Sequence, residues 1–261
     1  MERISFLPLA SGSKGNCALL ATPHATVLID CGIAPRRIFS ALREHGFDPQ
    51  KIDAVLVTHT HGDHISGLPN LLKKLHPRVY CHEKVANYLA RHVAEAGASG
   101  ELFSTFNGDG GFHHRDLDVL PVPVSHDADP TVAFKLFAGQ RRIGVLTDLG
   151  NVYEEQRQAF SDCDLLVLEA NHCPKLLAGG PYPEILKSRI RGSRGHLSNE
   201  QACEFATGLE RLPRHLLLGH LSENNNSPSA IRRAFRRIET GALPHTILSQ
   251  HQPGPLLELT L

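Results

Sequence analysis

Residues 58–64 read THTHGDH, three histidines and an aspartate directly after the apolar run AVLV. Imidazole nitrogens and a carboxylate are donors for zinc, and manganese or iron accept the same set. On a helix, positions i and i+2 diverge, which excludes a helical HExxH arrangement. At a strand end they point the same way, which aims His59 and His61 together. Gly62 gives the backbone freedom to turn, so that Asp63 and His64 approach from another side. The competing reading is a polar loop in a chain that carries 17 histidines. Recurrence weighs against it. Three other apolar runs end in VPVSH at His126, VLTD at Asp148 and LLLGH at His220, and an earlier one ends in VLID at Asp30. Five strand ends, each offering His or Asp at one rim of a sheet, are hard to assign to chance.

Such a rim needs a framework of strands. RISFLPL reads as one, and CALLATPHATVLIDCG as a hairpin turning near Pro23 and His24. Pro35 to Glu44 is expected to be a helix with Ile38, Phe39 and Leu42 on one face, and Glu83 to Ala96 a second with Val85, Leu89 and Val93 inward. LPNLLKKL reads as a short helix, and AVLVTH, RVYCH, LDVLPVPVS, TVAFKLFA, RRIGVLTD, LLVLEAN and HLLLGHLS as strands. His172 to Gly195 is expected to be irregular. Ser198 and Gln201 have capping-box spacing ahead of a helix with Phe205, Leu209 and Leu212 on its apolar face. Ser227-Pro228 opens a last helix carrying Arg232, Arg233, Arg236 and Arg237, and two strands close the chain. This order fits two sheets stacked between outer helices, an α/β four-layer sandwich formed by residues 1–261 as one domain.

The 261 residues are 41% apolar, enough for a sizeable core, and 27 basic residues balance 27 acidic ones. Net charge therefore selects neither nucleic acid nor a membrane. The six cysteines form no CxxC pair, and the opening MERISFLPLASGS is too short and polar for a secretory signal; reduced thiols in the cytoplasm are expected. No run approaches the roughly 18 apolar residues of a membrane span.

HxHxDH at 59–64, followed by a His, an Asp and a His at strand ends, resembles the metallo-β-lactamase-fold hydrolases over nearly the whole chain. The resemblance implies an αβ/βα sandwich with two divalent ions, zinc or manganese with iron admissible, at one edge. It places His59, His61 and His126 on the first metal, Asp63, His64 and His220 on the second, and Asp148 between them. Asp30 would orient ligands from behind. Two ions about 3.5–4 Å apart stabilise the oxygens of an in-line displacement. The flavodiiron reductases of this fold have a glutamate where this chain has His61, which argues against redox chemistry.

The substrate must be read from other segments. The Asp148-to-His220 spacing is too short for the large insertion of RNA-cleaving β-CASP relatives. LEANHCP at 168–174 and GHLSNEQA at 195–202 resemble segments of the tRNA-processing RNase Z enzymes. Glu169 would then orient His196 toward a phosphate or leaving group, making Asp63, Glu169 and His196 the catalytic set; for His196 the plain alternative is a residue ahead of a helix cap. SGSKGN offers Ser11, Ser13, Lys14 and Asn16 to an anion, although most such loops are only turns. Asn171 and His172, with Ser222, Asn224 and Asn225, complete the expected substrate contacts; Asn226 and Ser227 read equally as a turn capping the next helix.

Together LASGSKGNC, THTHGDHISG, VSHDA, LTDLG, LEANH, GHLSN and LGHLSENNN resemble the YycJ/WalJ-type subgroup, regarded as single-stranded or 5′-to-3′ DNA exonucleases linked to repair. Cys173-Pro174 departs from it, since an acidic residue is expected after NH. Residues 172–195 hold Lys175, Lys187, Arg189, Arg191 and Arg194 against Glu184 alone, and read either as a basic arm along a phosphate backbone or as a solvated loop. Tyr182 is placed to stack on a base. The Arg232–Arg237 cluster reads first as a helix surface. DNA is thus the expected partner, with no membrane and no feature that fixes an oligomeric state. The alternative is a small-molecule ester, thioester or lactone hydrolase on the same metals. A third reading, a degenerate binding protein, is opposed by the complete ligand set.

Overall fold

The structure, a computed structural model, describes residues 3–98, 102–108, 110–236 and 244–261. The first sheet contains β1 (Arg3–Ala10), β2 (Cys17–Ala21), β3 (Thr26–Ile29), β4 (Ala54–Leu56), β5 (Arg78–His82) and β6 (Phe103–Phe106). The second contains β7 (Phe112–His114), β8 (Leu117–Pro123), β9 (Val132–Ala138), β10 (Arg141–Leu146), β11 (Leu165–Glu169), β12 (His215–Gly219) and β13 (His245–Ile247). The last strand, β14 (Leu257–Thr260), returns to pair with β1, so the orders are β14-β1-β2-β3-β4-β5-β6 and β13-β12-β11-β10-β9-β8-β7.

Helices α1 (Pro35–Glu44), α2 (Gly62–Ile65), α3 (Leu68–Leu72) and α4 (Glu83–Glu95) follow strands of the first sheet. Helices α5 (Glu154–Phe160), α6 (Pro174–Gly179), α7 (Glu184–Arg191), α8 (Asn199–Thr207) and α9 (Pro228–Phe235) follow strands of the second.

Period-two alternation makes the layers. Leu7, Leu9, Leu19 and Leu28 face outward onto Ile38, Leu42, Leu89 and Val93 of the helices. Their neighbours Phe6, Leu20, Val27 and Ile29 face inward onto Phe134, Ile143, Leu165 and Leu217 of the other sheet. Leu166, Leu168, Leu216 and Leu218 point the opposite way, onto Phe160, Phe205, Ile231 and Phe235. The result is helix, sheet, sheet, helix. Each fully buried Leu or Phe contributes about 1.5–3 kcal/mol over leaving it exposed, so three such clusters give the rim a stiff base.

Strands β3 to β6 run parallel, as do β10 to β13. Their carboxyl ends therefore meet at one edge of the sandwich, where ligands of open α/β sheets bind.

Two expectations change. Residues 172–195 are not irregular: they form α6 and α7, opened by Pro174 at the first helical turn of α6 and Pro183 at the cap of α7. Leu212 is not on the apolar face of α8, which ends at Thr207; it lies beyond the helix and is 48% exposed. Strands β6 and β7 and helices α2 and α5 carry too little periodicity to announce themselves.

Candidate metal centre

Three of the acidic and imidazole groups reach the rim from strand ends where the backbone is bent to present them. Asp30, Asp148 and His220 all have positive φ, at 58°, 61° and 54°. This left-handed region is unfavourable for residues with a Cβ, though Asp, Asn and His tolerate it best. Three such residues at three strand ends mark where the chain gives up backbone comfort to aim side chains.

The 58–64 segment turns differently from expectation. Gly62 has no positive φ, and a Cβ there would meet nothing within 4 Å. His61 is the cap of α2 instead, and that short helix carries Asp63 and His64 back toward the rim. The glycine that the close packing demands is Gly32, where a Cβ would lie 1.6 Å from the Asp63 carbonyl oxygen. Asn16 N–H donates to that same oxygen at 2.8 Å.

Behind the rim, three of the histidines are oriented through Nδ1. His64 Nδ1 lies 2.7 Å from Asp30 Oδ2, His220 Nδ1 3.0 Å from Glu169 Oε1, and His126 Nδ1 3.1 Å from the Gly195 carbonyl. In each pair Nδ1–H donates, which fixes the tautomer and leaves the Nε2 lone pair for the rim. Thr58, which sequence reasoning passed over, links these supports: its hydroxyl and N–H donate to Asp30, and the hydroxyl lies 3.0 Å from His59 Nδ1.

The free atoms converge. Donor atoms of His59, His61 and His126 lie within 4.8 Å of one another, as do those of Asp63, His64 and His220. Asp148 stands between the groups: its Oδ1 is 3.3 Å from His220 Nε2 and 3.8 Å from His126 Nε2, and its Oδ2 is 3.2 Å from His64 Nε2. His59 Nε2 and Asp148 Oδ2 are buried without a hydrogen-bond partner among the described residues. Orphaned buried donors and acceptors cost free energy unless something satisfies them, and an imidazole lone pair beside a carboxylate suits a divalent cation.

The electrostatics agree. Burial disfavours charge on His220, yet Asp148, Asp63 and Glu169 overcome it and push the imidazole up to about 10. Burial likewise opposes a charged His64, but Asp148 and Asp30 hold it well above the usual range. Burial pushes the Asp63 and Asp148 carboxyls up, and the surrounding histidines hold both well below the ordinary carboxylate range. The cluster attracts positive charge, which protons supply when no cation does.

Glu169 and His196 form a second unit. Burial raises the Glu169 carboxyl, but His196 and His220 bring it down to about 2. Its Oε1 lies 2.7 Å from His196 Nδ1, and its Oε2 accepts the Leu149 and Leu197 backbone N–H groups. His196 sits in the wall of the cavity over the donor cluster.

That cavity, about 390 Å³, is lined by His61, Asp63, Asp148, His196 and His220. Of the expected substrate contacts, Ser13, Asn171 and Ser222 line it. The others stand apart. Ser11 is buried and its hydroxyl accepts the His220 N–H at 2.8 Å. Asn16 is buried, with Nδ2 3.0 Å from the Gly12 carbonyl and 3.1 Å from His64 Nε2. Asn225 is fully buried against Ser222, and His172 is buried beside the first turn of α8. Asn224 donates to the Tyr182 hydroxyl, and Lys14 pairs with Glu223. Asn226 and Ser227 take the capping role: Asn226 Nδ2 donates to the Ala170 carbonyl, and Ser227 caps α9.

Helices α6 and α7 form a cap rather than a free basic arm. Tyr182, Leu186, Arg189 and Ile190 line the cavity. Arg189 pairs with Asp127, Arg191 with Glu184, and Arg194 Nε donates to the His126 carbonyl at 2.9 Å. Cys173-Pro174 begins this cap, Cys173 N–H donating to the Asn225 carbonyl. Asp127 also escaped sequence reasoning; its Oδ1 is 3.3 Å from His126 Nε2 and 3.6 Å from His61 Nε2. Adjacency to His126 was the available signal.

Residues 25–221 match the family described as a beta-lactamase superfamily domain. An exodeoxyribonuclease, WalJ of Streptococcus pneumoniae, is 34% identical over 231 residues, spanning 84% of this chain and 81% of the relative. Exodeoxyribonuclease YycJ of Bacillus anthracis is 28% identical over 236 residues, 90% of this chain and 89% of the relative. In three dimensions the chain is similar to the short form of human tRNase Z, with a TM-score of 0.68 at 18% identity, covering 96% and 98% of the two chains.

Proposed function

Because this chain belongs to the metallo-β-lactamase-fold superfamily of hydrolases, we propose that it is a two-metal exodeoxyribonuclease that removes nucleotides from DNA ends. The observation that carries this is the convergence of two three-residue donor sets on Asp148, inside a cavity bordered by Glu169-held His196. The names of the relatives support DNA as substrate. The 5′-to-3′ direction, a preference for single strands and a cytoplasmic role in repair follow from the subgroup resemblance. Among the described residues no helix is long and apolar enough to cross a membrane.

His59, His61 and His126 would hold one ion and Asp63, His64 and His220 the other, with Asp148 shared. Zinc or manganese bound there acidifies a water and offsets charge on the phosphate oxygens. The chain's own residues do the rest. Glu169 keeps the His196 imidazole aimed into the cavity and, after burial has opposed charge there, raises its affinity for a proton. That proton is available to the departing oxygen. Arg189, the one Lys or Arg lining the cavity among the described residues, holds a phosphate oxygen with the N–H groups that Asp127 leaves open.

The test uses metal-stripped protein and DNA labelled at either end, single- or double-stranded, with Zn²⁺ or Mn²⁺ restored. Metal-dependent loss of nucleotides from one end, abolished in Asp148→Ala, is the expected result. Hydrolysis of small esters or lactones without any attack on DNA would replace this reading with the small-molecule one.

A further inference from the structure

Beside the metal centre lies a second depression of about 400 Å³, lined by Ser11, Ser222, Ser227, Arg232, Ser249 and His251 among others. Ser222 also lines the cavity over the donor cluster, so the two share a wall. The amino-terminal turn of α9 contributes Ser227 and Pro228, bringing the positive end of the helix dipole to this depression. Arg232, one turn further on, is exposed.

The lining carries one acidic group against several donors. Its one carboxylate, Glu223, pairs with Lys14 and lies 3.6 Å from His251 Nε2. What remains is a guanidinium, an imidazole, serine hydroxyls and the amides of Asn226, Gln250 and Gln252, together with the apolar side chains of Leu221, Pro228, Ile247 and Leu248. No Phe, Tyr or Trp lines it among the described residues, so there is no platform for stacked bases. Cationic and neutral donors without aromatic faces suit sugar-phosphate backbone, which they position without reading sequence.

We propose that this depression is a backbone track: it holds phosphates of the DNA strand adjoining the linkage at the metal centre, the strand passing over Ser222 toward Arg232 and His251. The inference rests on the nuclease reading and extends it, giving the enzyme a grip on polymer that a terminal dinucleotide does not engage.

Binding is measured by fluorescence anisotropy with the protein as purified, using labelled, hydrolysis-resistant phosphorothioate oligothymidylates of twenty and of two nucleotides. Arg232→Ala and His251→Ala are compared with Arg233→Ala. Arg233 is exposed on the same helix but lines neither cavity, so its loss removes equal charge from outside the track. Arg232→Ala should weaken binding of the long oligomer about tenfold and reduce the salt slope by about 1, the signature of one lost phosphate contact. Binding of the dinucleotide should change less than twofold, and Arg233→Ala should leave both ligands near wild type. Equal losses in Arg232→Ala and Arg233→Ala, or unchanged binding of the long oligomer in Arg232→Ala, would overturn the track. Tight, Arg232-dependent binding of a long oligomer whose unmodified form is never degraded would keep the track and remove the exonuclease reading. Failure of the wild type to bind the long oligomer would remove both.

Discussion

One side of the donor cluster comes from a single segment: the turn after β4 delivers His59, His61, Asp63 and His64 within six positions. The other side is assembled from three strand ends of the second sheet, with His126, Asp148 and His220 separated by 22 and 72 positions. The local side is held from behind by Asp30 and Thr58 and wedged against Gly32. The dispersed side is held by Glu169, which touches His220 and His196 together. A local motif can be positioned by one turn and its neighbours. A dispersed one depends on strand register and on two left-handed backbone residues, Asp148 and His220. Asp148 is where the two meet.

Breaking the junction should have the largest effect. Asp148→Ala removes the carboxylate facing both donor sets, so DNA cleavage should fall by more than the about 10–100-fold typical of losing a supporting residue. Bound metal should fall with it, read by elemental analysis of the dialysed protein.

Removing the support on each side in turn is the sharper comparison. Asp30→Asn and Glu169→Gln should each cost about 10–100-fold in metal affinity or activity, but in different ways. Asp30→Asn acts through His64 and Thr58 and should appear chiefly as weaker metal binding, restored by excess Zn²⁺ or Mn²⁺ in the assay. Glu169→Gln also releases His196, so excess metal should restore only part of kcat. Full rescue of both variants would mean that Glu169 serves the metal ligands alone.

The contrast between the sides explains what the sequence made legible. THTHGDH was readable because its donors are adjacent, and His126, Asp148 and His220 because each ends an apolar run whose alternation is plain. The four layers were readable for the same reason: Leu216, Leu217 and Leu218 face alternate clusters, as β periodicity requires. What escaped depends on approach distances rather than residue patterns. The need for glycine at Gly32 exists only because the Asp63 carbonyl packs against it, and Gly62, the glycine inside the motif, is in open space. Asn16, Ser11 and Asn225 have the side chains of substrate contacts, yet each is spent on holding a loop. The cap over the cavity looked like a charged loop because two of its cations find partners far along the chain, Arg189 at Asp127 and Arg194 at the His126 carbonyl.

Gly32→Ala tests whether the local side depends on that wedge. A Cβ overlapping backbone must displace it, so a loss of about 2 kcal/mol or more is expected, among the larger effects of single substitutions; chemical denaturation of the metal-loaded protein measures it. Gly62→Ala should stay within about 0.5 kcal/mol of wild type, as substitutions in open positions do.

The smallest effect belongs to the cap. Arg189→Ala should raise KM for DNA several-fold with kcat nearly unchanged, since the residue binds phosphate at the cavity wall and reaches the donor histidines only through Asp127. A fall in kcat at constant KM would instead place Arg189 in the chemical step.

Metal stoichiometry decides most directly whether the two sides form one dinuclear centre. Protein loaded with zinc or with manganese, freed of excess ion and analysed for metal per chain, should hold two ions in the wild type and one in His126→Ala. A wild type that retains a single ion under both conditions would contradict the shared position of Asp148 and leave one of the two three-residue donor sets without its metal.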